Sequence, residues 1–145
     1  MNIKVVYHTT TGNTRKVAEA VAAAAGVKAE SIEDSELSSA PVDLLFVGDG
    51  LYGGKPHKKT VAFISSLDPG KVKNAAVFAT YGGQARIGEE LKKHFQEKGI
   101  HLIGEPFTCR GRAWIFINRS HPDESDLNRA RAFAKAAVKE WSGNV

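Results

Sequence analysis

A run of neutral hydrogen-bond donors, Thr9-Thr10-Thr11-Gly12-Asn13-Thr14, follows directly on the apolar segment Ile3–Tyr7. Val17, Ala20, Val21 and Ala24 come next at helical spacing, so the run sits where a strand ends and a helix begins. The first N–H groups of a helix lack intrahelical partners, and the helix dipole favours negative charge there. Hydroxyls added to those donors make a loop suited to a phosphate. The loop has no G-x-G-x-x-G, which would let a pyrophosphate approach the backbone, and no Gly-Lys-Ser/Thr ending of a nucleoside-triphosphate loop. No cysteine follows the strand to act as a phosphatase nucleophile. What remains is a pocket for one terminal phosphate group. The plainer alternative is threonine hydroxyls that only cap the helix.

Two more loops weigh against that alternative. One is Gly48-Asp49-Gly50-Leu51-Tyr52-Gly53-Gly54-Lys55-Pro56 and the other is Thr80-Tyr81-Gly82-Gly83-Gln84. Both are glycine-rich and each carries a tyrosine. Glycine lets the backbone come close to the edge of a flat heteroaromatic ring, and tyrosine offers a face for stacking.

Such loops need a scaffold that brings them to one end. Strand-like and helix-like segments alternate along the whole chain. Strands are expected at Ile3–Tyr7, about Val27–Ile32, Asp43–Val47, Ala75–Thr80 and about His101–Phe107. Helices are expected at about Asn13–Ala25, Lys58–Leu67, Ala85–Lys98 and Asp123–Trp141. Alternation of this kind implies an α/β fold: a five-stranded parallel sheet with helices on both faces. Strands one, three and four are continuous apolar runs and belong inside, where both faces are covered. Strand two carries Lys28 and Glu30, and strand five carries His101, Glu105 and Pro106, so these two belong at the edges. The order 2-1-3-4-5 satisfies this, whereas 3-2-1-4-5 would expose strand three. In such sheets the ligand sits beyond the carboxyl ends of the strands, where the three loops meet.

The chain has 145 residues, which suits one domain over residues 1–145. No apolar run approaches the ~20 residues of a membrane-spanning helix, and the N-terminus shows no signal-peptide pattern, so a cytoplasmic protein without a membrane partner is expected. The single cysteine, Cys109, excludes an internal disulfide, and it reads as a small buried hydrophobe. The five histidines show no metal-ligand spacing, and no metal site is expected. The net charge is +4 with basic residues spread along the chain, and no nucleic-acid motif is present. The apolar stretch Trp114–Ile117 is open among an extra strand, a flap and an interface patch.

With these residues in view, the chain resembles the flavodoxin family over nearly its whole length. Thr9–Thr14 is similar to that family's phosphate loop. Val47 to Gly54 looks like the loop over the inner flavin face, and Phe78 to Gly83 looks like the loop at the outer face. The resemblance implies a short-chain, flavodoxin-like three-layer sandwich that binds FMN. It implies Thr9, Thr10, Thr11, Gly12, Asn13 and Thr14 at the phosphate, and Gly50, Leu51, Tyr52, Gly53 and Gly54 at the ring, with Gly53 presenting its peptide to flavin N5. Thr80, Tyr81, Gly82 and Gly83 are implied at the pyrimidine side or outer face. The implied function is electron transfer between redox partner proteins through an exposed flavin edge, with no protein catalytic residue.

Departures from the family sharpen the expectation. Flavodoxins are usually acidic around the flavin, but Gly54, Lys55, His57, Lys58 and Lys59 stand here, and Gly83 occupies the place of a frequent tryptophan. Nearby positive charge should raise the second reduction potential, and the lysines suggest an acidic docking surface on the partner. The competing function is an FMN-dependent NAD(P)H or quinone oxidoreductase, for which Gly82 and Gly83 leave room; sustained turnover of NAD(P)H with a quinone would separate it from a carrier. A phosphorylation-controlled receiver domain shares the strand order, but it needs a carboxylate pair after strand one, where His8 and Thr9 stand. A flavodoxin fold without cofactor is the remaining reading.

Overall fold

The computed structural model describes residues 1–37, 40–51, 55–81, 86–111 and 121–143, apart from the side chains of Leu51 and Ile87. The elements run β1 (Ile3–Tyr7), α1 (Asn13–Ala25), β2 (Ala29–Ser31), β3 (Leu44–Leu51), α2 (Lys58–Ser66), β4 (Asn74–Tyr81), α3 (Ile87–Lys98), β5 (His101–Leu102), β6 (Phe107–Arg110) and α4 (Glu124–Gly143). The strands form one parallel sheet in the order β2-β1-β3-β4-β5, and β6 also pairs with β4. This is the expected 2-1-3-4-5 arrangement, with one difference. The fifth strand is broken. Leu102 pairs with Ala75 and Phe107 with Phe78, so Ile103 to Pro106 face only Ala76 and Val77. Proline has no N–H for a ladder, and Gly104 turns with φ 68°. The chain bulges out and rejoins the same edge.

Pleating sorts the core onto two faces. Val5, Tyr7, Leu44, Phe46, Ala76 and Phe78 point to the side covered by α1 and α4. Val6, Leu45, Val47, Ala75, Val77 and Ala79 point to the side covered by α2 and α3, where they meet Ile64, Leu91 and Phe95. Strand β3 runs to Leu51, four residues beyond its expected end at Val47. Its last residues therefore alternate faces as well. Gly48 and Gly50 point toward α1, and Asp49 points toward α2. The Phe78 ring lies across Gly48: a Cβ on Gly48 would sit 2.0 Å from Phe78 Cε2.

Candidate functional site

The site is built where β1, β3, β4 and β6 end. Helix α1 opens at Gly12, whose φ of 90° is left-handed and strained for any residue with a Cβ. The first intrahelical bond runs from Lys16 N–H to the Gly12 carbonyl. No side chain caps the helix at Gly12, and no acidic residue stands in the first turn. Thr9 Oγ1 accepts the Gly12 N–H at 2.9 Å, which folds the loop back on itself. Thr10 and Thr11 are exposed, and Thr9, Gly12 and Asn13 are half-buried.

Thr14 differs from the other threonines. It is buried, and its Oγ1 lies 2.9 Å from Thr80 Oγ1 in a hydrogen bond across the sheet end. Its hydroxyl is thus committed inward. A Cβ on Gly50 would lie 2.6 Å from Thr14 Oγ1 and 3.0 Å from Thr80 Oγ1. Three of the expected loops therefore meet through Thr14, Gly50 and Thr80. Leu51 and Tyr81 pair with each other at the ends of β3 and β4. Tyr52, Gly53, Gly54, Gly82 and Gly83, like the Trp114–Ile117 stretch, lie outside the described residues.

A fourth segment joins the site. Gly111, after β6, donates its N–H to the Tyr81 carbonyl at 2.9 Å. It packs so closely on the start of α1 that a Cβ would lie 2.8 Å from Asn13 Nδ2.

On the opposite face of the sheet end, Asp49 is fully buried. Its Oδ1 accepts the Gly50 N–H and its Oδ2 the His57 N–H, both at 2.8 Å. Burial pushes this carboxyl above the ordinary carboxylate range, against the pull of those two donors. His8 Nδ1 lies 3.4 Å from Asp49 Oδ1, and the His8 ring stacks on His57 with centroids 4.0 Å apart. Burial, and then repulsion from His8, lower the basicity of His57. Nothing in the spacing 8, 49, 57 signals this cluster.

Beside the Tyr81 end of β4 lies a polar cavity of about 220 Å³, lined in part by Thr108, Arg110, His121 and Asp126. His121 Nδ1 and Asp126 Oδ2 are 2.6 Å apart, and Arg129 holds Asp126 Oδ1. His121, Asp123 and Asp126 bring possible ligand atoms within 4.8 Å of one another. The two aspartates already serve as a reciprocal cap on α4: Asp123 Oδ1 accepts the Asp126 N–H, and Asp126 Oδ2 accepts the Asp123 N–H. Cys109 is buried at the cavity wall, as expected, and burial pushes its thiol up to about 12.

Residues 4–115 match the family model described as flavodoxin domain. The chain belongs to that family. A relative of this flavodoxin domain, an uncharacterized protein of Methanocaldococcus jannaschii, is 32% identical over 107 residues, covering 67% of this chain and 70% of the relative. The rubredoxin oxygen:oxidoreductase of Desulfovibrio gigas superposes with a TM-score of 0.77 at 15% identity; the match covers 98% of this chain but only 36% of that one. A two-electron reduced flavodoxin of Megasphaera elsdenii superposes with a TM-score of 0.70 at 23% identity, covering 94% of this chain and 98% of that one. Among the described residues no helix is long and apolar enough to cross a membrane.

Proposed function

We propose that this flavodoxin domain binds FMN and carries electrons between redox partner proteins. One observation carries the proposal: the start of α1, free of acids in its first turn, lies behind a turn of three threonines folded by Thr9 and opened by Gly12. That donor set fits a phosphate, because backbone N–H groups and hydroxyls supply hydrogen bonds while the helix dipole supplies field. Family membership supports FMN as the bearer of that phosphate.

When bound, FMN supplies the one- and two-electron chemistry. The chain's residues bind and orient. The hydroxyls of Thr9, Thr10 and Thr11, the backbone of Gly12 and Asn13, and the N–H of Thr14 hold the phosphate. Gly50 and Thr80 fix the start of α1 against the sheet through Thr14. By family resemblance, the ring would lie at the ends of β3 and β4, beside Tyr81.

Calorimetry of apoprotein with FMN tests this. Wild type should take up one FMN. Thr11→Ala removes one exposed hydroxyl and should weaken binding about tenfold, the worth of one hydrogen bond to a charged group. No uptake by folded wild type, or unchanged affinity in Thr11→Ala, overturns the proposal.

The partner is proposed to meet the lysines beside this site with an acidic surface. Lys55 and Lys58 are exposed, while Lys59 pairs with Glu33 at 3.2 Å. Two to three exposed cations give a steering effect that salt screens. Electron-transfer rates to an acidic partner should fall several-fold between about 0.01 M and 0.15 M salt, and rates independent of salt would remove the docking role.

A further inference from the structure

We infer that Asp49 is a positioning residue for the loop that the flavin reading assigns to the ring: one buried carboxylate ties the backbone before residues 51–56 to the backbone after them. The inference rests on the FMN reading for its purpose, but the tie itself belongs to the chain alone. Gly50 N–H and His57 N–H each reach a separate oxygen of Asp49 at 2.8 Å. An ionised carboxylate accepts strongly at both oxygens. An amide accepts at one atom and donates at the other, and a protonated carboxyl turns one oxygen into a donor that accepts only weakly.

The fold does not need a charge here. A carboxyl raised by burial contributes its full stability below its ordinary range and loses it as pH rises through the raised value. Burial thus works against a charge at Asp49, and its place is explained by what it holds. Polar and titratable groups face it from three segments. From the end of β1, His8 Nδ1 faces Oδ1 at 3.4 Å. From the turn after β2, Glu33 Oε1 lies 3.9 Å from His8 Nε2 and 3.2 Å from Lys59 Nζ. From α2 come the His57 ring, Lys58, Lys59 and the buried Thr60 hydroxyl, which neighbours Asp49 without a hydrogen bond of its own. The His57 ring cannot replace His8, because its Nδ1 accepts the Lys59 N–H that starts α2.

The test is amide hydrogen exchange on apoprotein, wild type against Asp49→Asn, with FMN affinity measured alongside. In Asp49→Asn, protection at Gly50 and His57 should fall at least about tenfold while β3 amides such as Phe46 keep theirs. FMN binding should weaken about tenfold, the worth of one hydrogen bond to a charged group. In wild type the same two protection factors should drop on acidification through the Asp49 titration, above the ordinary ~3.9, and this step should be absent from Asp49→Asn. The wild-type titration decides the question even if the variant fails to fold. Unchanged protection at both amides, or a loss spread evenly through β3, overturns the tie. Loss of the tie with unchanged FMN affinity overturns the positioning role. If wild type binds no FMN, the flavin reading and the role assigned to Asp49 both fall, while the exchange arm still reports on the tie separately.

Discussion

Gly48→Ala should lower stability by about 3 kcal/mol, a fall of roughly 10 °C in Tm, although it adds a single methyl group. The added Cβ would lie 2.0 Å from Phe78 Cε2 and 2.3 Å from Cζ, distances no relaxation of a few tenths of an ångström absorbs. Phe78 cannot yield easily. It is fully buried on β4, in the same cluster as Phe46 and Val17. Either the ring leaves its rotamer or β3 and β4 part, and a packed interior resists both. Urea unfolding measures the loss. Phe78→Leu shortens the ring and should be destabilising alone, yet the double variant should lose clearly less than the sum of the single losses. Additive losses, or a Gly48→Ala protein within about 1 kcal/mol of wild type, would mean that Phe78 does not seat on Gly48.

The same taper explains how the scaffold makes a site. Toward α1, strand β3 presents Leu44 and Phe46, then Gly48 and Gly50. The large side chains separate helix from sheet at one end. Gly48 makes room for Phe78, and Gly50 lets the start of α1 drop onto the strands at the other end, until Thr14 reaches Thr80. Toward α2 the same strand ends in Asp49, which faces His57. One strand thus supplies closeness on one face and a charged tie on the other.

This division marks what could be read from the chain. Continuous apolar runs such as Leu44–Val47 report burial on both faces, and burial fixes which strands lie inside, so the strand order was legible. The threonines at Thr9–Thr11 and the left-handed Gly12 are local features, written in consecutive residues. What escaped depends on distant pairing. Gly48 to Leu51 looked like loop because glycine and aspartate are poor strand formers; β4 nonetheless pairs with them residue by residue to Leu51. The break in the last strand was hidden because both pieces return to one edge. The contacts of Asp49 with His57, Thr14 with Thr80 and Gly111 with Asn13 have no periodicity to report them.

Asp126→Ala should remove about 3 kcal/mol near neutral pH, and the loss should shrink in acid. Asp126 is 3% exposed and accepts from His121, from the Asp123 N–H and from Arg129. Burial alone would push its carboxyl up. The three donors outweigh burial and hold it below the ordinary range. A depressed carboxyl contributes stability above its unfolded value and loses it as pH falls through the lower folded one. Wild type should therefore approach the alanine variant only below about pH 4. Arg129 is largely exposed and rehydrates when its partner goes, so most of the loss comes from the cap on α4 and from His121. Asp126→Asn keeps one acceptor and should recover part of the stability without the acid dependence. A loss that stays constant from neutral pH to pH ~3 would show that Asp126 is not ionised in the fold, and that packing rather than charge anchors α4 beside the cavity.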